Sequence, residues 1–158
     1  MMRRARRDAG FTLVEALVTL FILALMAGAV VMLTPGEAQK TRQFVAEFAD
    51  RMALASEESI VINRSHALIL TPDGYGYQRL ENTGWQAMER GSPLSFRPWP
   101  SYVSYRLEGA AVDEDSGRVA RFDSMGGSTP TRIEIDGPGS RWMVALGGQG
   151  RAHVEELD

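Results

Sequence analysis

Three residues near the start of the chain have the types and spacing for a defined piece of chemistry: Gly10, Phe11 and Glu15. Arg3, Arg4, Arg6 and Arg7 precede them, and an apolar run follows to Leu33. Hydrolysis of the Gly10–Phe11 peptide bond would free an α-amino group at Phe11, four residues before the Glu15 carboxylate. Within one chain the two charges then meet across a helical turn. Between parallel helices staggered along their axes, the amine of one chain meets the carboxylate of its neighbour. Such a pair contributes ~4 kcal/mol at an effective dielectric near 20, before desolvation is subtracted. An ionised side chain inside lipid costs roughly 2.5–3.5 kcal/mol at a helix centre and less near an end, so Glu15 needs a partner charge.

The apolar run from Phe11 to Leu33 predicts a membrane-spanning helix. About 23 residues rise ~34 Å, against a hydrocarbon core of ~30 Å. The arginines before it hold the N-terminus in the cytoplasm and send the rest outward. Three readings compete: a plain anchor, a secretory signal cut after the small residues Ala27-Gly28-Ala29, and a segment cut at its cytoplasmic front. Only the third uses Glu15. The arginine pairs invite a twin-arginine reading, but no matching apolar pattern follows either pair directly.

The remaining composition restricts the chemistry. There are no cysteines, so disulfides, thiolate metal sites and thiol catalysis are excluded. The formal charge is −3, and without the four arginines and Asp8 it becomes −6. That acidity disfavours a broad nucleic-acid surface. His66 and His153 are the only histidines, and each falls in an expected strand with a structural or surface role. Asp113, Glu114 and Asp115 lack the ligand spacing of a calcium loop and read as an exposed acidic turn. The Gly-Gly-Gln-Gly at 147–150 opens a strand rather than a helix, which excludes a dinucleotide site. Arg97-Pro98-Trp99-Pro100 reads as a rigid extended piece around a buried tryptophan. No nucleophile constellation is present, so no enzymatic activity and no cofactor is expected.

The elements that carry these residues follow from periodicity. Thr34, Pro35 and Glu37 have the pattern of a helix restart with a capping box. The helix that follows places Phe44, Phe48, Met52 and Ala55 on one stripe, with Lys40, Glu47, Arg51 and Glu58 largely elsewhere. From Ser65 onward the pattern changes to short strands and turns. Strands are expected at 65–71, 75–81, 86–89, 94–97, 102–108, 119–123, 131–136, 141–146 and 151–155. The expected organisation is a leader at 1–10, a transmembrane and assembly helix at 11–33, an amphipathic helix at 34–64 and a β-rich head at 65–158. The fold class is α+β, a long helix packed on an antiparallel sheet or sandwich.

The stretch "GFTLVEALVTLFILALMAGAVV" resembles the signal of type IV pilins and type II secretion pseudopilins. Its basic leader, Gly10, Phe11, Glu15 and unbroken apolar helix match that pattern, and Asp8 departs from the basic leader. "FDSMGGSTPTRIEI" with "RWMVALGGQGRAHV" is similar to the C-terminal region of the GspH/FimT group. The middle, from about Tyr75 to Val119, carries no such likeness. The resemblance implies cleavage after Gly10 by a prepilin peptidase, N-methylation of Phe11, and an assembly role for Glu15. It implies a type IV pilin-like fold and a minor pseudopilin near the tip of a periplasmic pseudopilus, supporting export across the outer membrane. The implied location is the bacterial inner membrane, single-pass, with a periplasmic head. The implied partners are the other minor pseudopilins, the major pseudopilin and the peptidase, with no nucleic acid. The alternative is a minor pilin of the FimT/FimU kind, in pilus assembly or DNA uptake. The acidic tail after Arg151 argues against the DNA-uptake version.

Overall fold

The computed structural model describes residues 12–33, 36–109 and 116–157. The chain forms two compact units, Met1–Gly36 and Glu37–Asp158. Gly10, Phe11, the restart residues Thr34 and Pro35, and the acidic turn Asp113–Asp115 lie outside the described residues.

The first unit contains helix α1, Leu13–Leu33. Thr12 stands at its N-cap: the Thr12 Oγ1 accepts the Glu15 N–H at 3.2 Å, and the Thr12 carbonyl accepts the Ala16 N–H at 3.1 Å. Thr12 and Glu15 therefore occupy the first and last positions of a capping-box pattern.

The second unit opens with helix α2, Glu37–Val61. Its buried residues are Thr41, Phe44, Val45, Phe48, Arg51, Met52, Ala55, Ser56 and Ser59. Their steps of three and four residues draw one stripe along a 3.6-residue period. The helix ends at Val61, and the chain turns away at Asn63, whose φ of 53° is left-handed. The Arg64 N–H reaches the Ser59 carbonyl and the Asn63 N–H reaches the Ile60 carbonyl, which satisfies two of the open acceptors of the last turn.

Among the described residues nine strands follow: β1 His66–Thr71, β2 Gly74–Glu81, β3 Gly84–Ala87, β4 Arg97–Pro98, β5 Ser104–Glu108, β6 Arg118–Phe122, β7 Thr131–Gly137, β8 Ser140–Leu146 and β9 Ala152–Leu157. One antiparallel sheet has the order β3-β2-β1-β6, with the short β4 on the start of β2. The other has the order β5-β7-β8-β9. The inward residues of both sheets and the stripe of α2 make one core, from Leu68, Tyr77 and Phe122 to Ile133, Ile135 and Val144.

Three expectations need correction. Residues 94–97 do not form a strand, because Leu94 is drawn into the core while only Arg97 and Pro98 pair with β2. Arg51 does not leave the apolar stripe but lies within it, 5% exposed. Its Nε donates to the Pro93 carbonyl at 2.9 Å and its Nη2 to the Ser95 carbonyl. The guanidinium also sits 4.7 Å from the centroid of the Tyr75 ring. Burial of the charge is compensated by these carbonyls and the aromatic face. The tryptophan of the 97–100 segment, expected to be buried, is only partly buried and packs against the edge of the core. Trp99 stacks on Tyr105 at 4.6 Å, meets Tyr75 at 4.9 Å and donates to the Thr71 carbonyl, joining the two sheets.

Candidate functional site

No cluster with catalytic geometry appears among the described residues, and no group of three or more metal-ligating side chains does either. The two histidines have separate settings. His153 is exposed on β9. His66 is buried at the start of β1, with Nδ1 at 2.9 Å from the Ser59 hydroxyl. Burial pushes its pKa below the ordinary value, Glu58 opposing and Arg79 reinforcing that shift. Because the Ser59 hydroxyl donates to the Ala55 carbonyl, it accepts from Nδ1. His66 thus ties the end of α2 to the first strand as a neutral ring.

The functional features are surfaces. On α1, Leu13, Val14, Leu17, Val18, Leu20 and Phe21 are at least half exposed, and the following leucines and Met26 continue the pattern. Apolar residues face every direction, so among the described side chains of this helix almost none is buried. The helix as a whole comprises 21 residues, a rise of ~31 Å. Its described side chains end at residue 27, and among the described residues no helix is long and apolar enough to cross a membrane. Glu15 is exposed in the first turn, the only acidic residue there. Its carboxylate stands at the positive end of the helix dipole, where negative charge is stabilised. Thr12, part of the N-terminal signal, also caps the helix, as the Thr-x-x-Glu spacing to Glu15 implies.

The second feature is a pair of interlocked turns on the head. In residues 123–127 the Asp123 carboxylate accepts the amides of Met125 at 2.8 Å and Gly127 at 2.9 Å. The next residue, Ser128, donates its hydroxyl to the Gly147 carbonyl and accepts the Gly150 N–H at 2.9 Å. Gly150 has φ 72° and lies against Ser56 of α2, where a Cβ would collide with the serine hydroxyl. The "DSMGGST" and "GGQG" segments are thus one packed unit against α2. Met125, at the tip, is 94% exposed.

Comparison with known proteins gives one answer for each unit. Residues 5–31 match the family model described as the prokaryotic N-terminal methylation motif. No curated protein matches the sequence. The fold is similar to the minor pseudopilin EpsH from the type 2 secretion system of Vibrio cholerae. One structure of it aligns with a TM-score of 0.60 at 17% identity, over 74% of this chain and 95% of that one. A second, a crystal structure, aligns with a TM-score of 0.56 at 20% identity, over 70% and 92%. The solution structure of E. coli GspH aligns with a TM-score of 0.60 at 15% identity, over 73% and 87%. At these identities the likeness is one of fold. The chain carries a prokaryotic N-terminal methylation motif at its start and a head with the α+β, type IV pilin-like fold seen in minor pseudopilins.

Proposed function

We propose that this protein is a minor pseudopilin of a type II secretion system. The observation that carries the reading is the presence of both parts in one chain: the methylation motif over residues 5–31 and a head with the EpsH and GspH fold. Prepilin peptidase cuts between Gly10 and Phe11 and the new amine is methylated. Helix α1 then anchors the subunit in the inner membrane, with the head in the periplasm. Its exposed apolar surface is covered first by lipid and, after assembly, by the helices of neighbouring subunits. Glu15 supplies the carboxylate that meets the Phe11 amine of a neighbour and sets the axial register. The head joins the other minor pseudopilins near the tip, above the major pseudopilin, and the work done is mechanical support of export across the outer membrane.

N-terminal sequencing and intact mass of the protein from native membranes test this reading. The mature chain is expected to begin at Phe11 with a methylated amine, and deleting the gene is expected to reduce export of secreted proteins. A mature start at Val30 or later would mark an ordinary secretory signal and end the proposal.

A further inference from the structure

The two ring nitrogens of His66 face two consecutive residues in the last turn of α2, and only one nitrogen is satisfied. Nδ1 donates to the Ser59 hydroxyl, which is itself anchored on the Ala55 carbonyl. That hydrogen bond keeps the proton on Nδ1 and leaves a lone pair on Nε2. Nε2 has no hydrogen-bond partner among the described residues, and its side chain is fully buried. It faces Glu58, whose Oε1 lies 3.7 Å away. Two acceptors thus confront each other at the end of the helix.

The separation selects what fits between them. A direct hydrogen bond needs about 2.7–3.2 Å, so the pair is too far apart to share a proton. A bridging water would hold its two acceptors about 4.5 Å apart, from hydrogen bonds of ~2.8 Å at a tetrahedral angle. A tetrahedral zinc ion with nitrogen and oxygen ligands at ~2.0–2.1 Å holds them about 3.4 Å apart. The observed 3.7 Å is nearest to the last. The Ser59 contact agrees: a metal-bound imidazole donates its other N–H to a fixed acceptor, which sets the tautomer and orients the ring.

Glu58 also lines an open cavity of about 570 Å³, together with Arg79, Glu81, Gln86, Met88 and Glu89. A hydrated ion therefore has a route to the carboxylate. Arg79 is the cation that would oppose it, and Arg79 is paired with Glu81 at 2.6 Å, a carboxylate that Arg64 also engages. Glu58, 27% exposed in its side chain, has no arginine or lysine partner among the described residues.

We infer that His66 Nε2 and the Glu58 carboxylate bind a divalent ion of the zinc class. Water completes the coordination, since no third metal-ligating side chain joins them among the described residues. The imidazole ligand disfavours calcium and magnesium, which take oxygen. The ion would fasten the end of α2 to the first strand, in a chain with no cysteine to cross-link them. The site lies within the head and does not depend on the assembly role.

The test uses the full chain in detergent, stripped with chelator and titrated with Zn²⁺ alone. Saturating Zn²⁺ is expected to raise the melting temperature by about 3 °C or more. In ring-labelled protein it should move the ¹⁵N resonance of His66 Nε2 while Nδ1 keeps its proton. Glu58→Gln should weaken Zn²⁺ binding at least about tenfold, His66→Gln should abolish it, and His153→Gln should leave it unchanged. If His66→Gln fails to fold, Glu58→Gln and the ring resonances carry the test. Ca²⁺ should produce neither shift. The inference is overturned by absence of a Zn²⁺ effect, by binding that survives Glu58→Gln intact or is lost in His153→Gln, by coordination through Nδ1, or by an equal response to Ca²⁺.

Discussion

Helices α1 and α2 are of similar length, 21 and 25 residues, and they solve opposite problems. The stripe of α2 is buried by strands of its own chain, with Phe48, Met52 and Ala55 at 0% exposure. In α1 the apolar residues Leu13, Leu17 and Phe21 are 77%, 58% and 65% exposed. Helix stability in proteins comes mainly from the packing of an apolar face. The chain supplies that packing to α2 and leaves the packing of α1 to whatever surrounds it. Substitutions along α2 should therefore be read in the folding of the head, and substitutions along α1 in insertion and assembly.

The largest effect expected from this contrast is at Phe48, which packs on Tyr75 at 4.8 Å. Phe48→Ala should destabilise the head by about 3–5 kcal/mol, measured by chemical denaturation in detergent. Leu17→Ala, a similar truncation on α1, should leave the head within about 0.5 kcal/mol of wild type. Equal effects would abolish the distinction between the helices.

Arg51 sharpens the same contrast, because it is a charge built into the buried stripe. Arg51→Ala leaves the Pro93 and Ser95 carbonyls without their donors and should cost about 2–3 kcal/mol. Limited proteolysis should then cut within residues 88–96 before the rest of the head. Lysine should not rescue it, since one ammonium cannot span two carbonyls and lie flat on Tyr75. Full stability of Arg51→Lys would show that charge alone is needed.

His66 couples the end of α2 to pH. Its folded pKa lies below 6.5, so the unfolded chain takes up the proton first as pH falls. The stability it contributes is present above pH 6.5 and is lost as pH falls from there through the folded value. The melting temperature of the wild type should drop from pH 7 to pH 5 by more than that of His66→Gln. Parallel curves would mean that the neighbouring carboxylates dominate.

Glu15 is expected to have the smallest effect on folding and a specific one on assembly. Glu15→Val should be inserted and cleaved, with weakened incorporation, read as crosslinking of cleaved subunits to their neighbours. Glu15→Gln separates two roles, because glutamine preserves a capping box and removes the charge. The charge reading expects Glu15→Gln to assemble as poorly as Glu15→Val, with normal head stability. Wild-type assembly by Glu15→Gln would reduce Glu15 to a helix cap.

The elements legible in the sequence are those set by neighbours along the chain. The apolar run of α1, the stripe of α2 and the hairpin at Pro72-Asp73-Gly74 depend on periods of 3.6 and 2 and on turn chemistry. The N-terminal methylation motif over residues 5–31 belongs to the same class, since its signal is contiguous, and the cleavage proposed at Gly10–Phe11 rests on it. The place of Arg51 is legible from the same period: it stands seven residues after Phe44 and three after Phe48, on the buried face, although its charge points to solvent. Its compensation was not legible, because the carbonyls that accept from it lie 42 and 44 residues further along the chain.

What only the tertiary structure decided is which distant residues share a surface. Trp85 and Arg121 are 36 positions apart and lie on opposite edges of a four-strand path, and nothing in either local pattern points to the other. Ser128 and Gly150 meet because β7, β8 and β9 fold back in register. Periodicity fixes which face a side chain occupies, since that is a property of backbone geometry within a few residues. Strand order and register decide its neighbours on that face, and those are settled by the packing of the whole core.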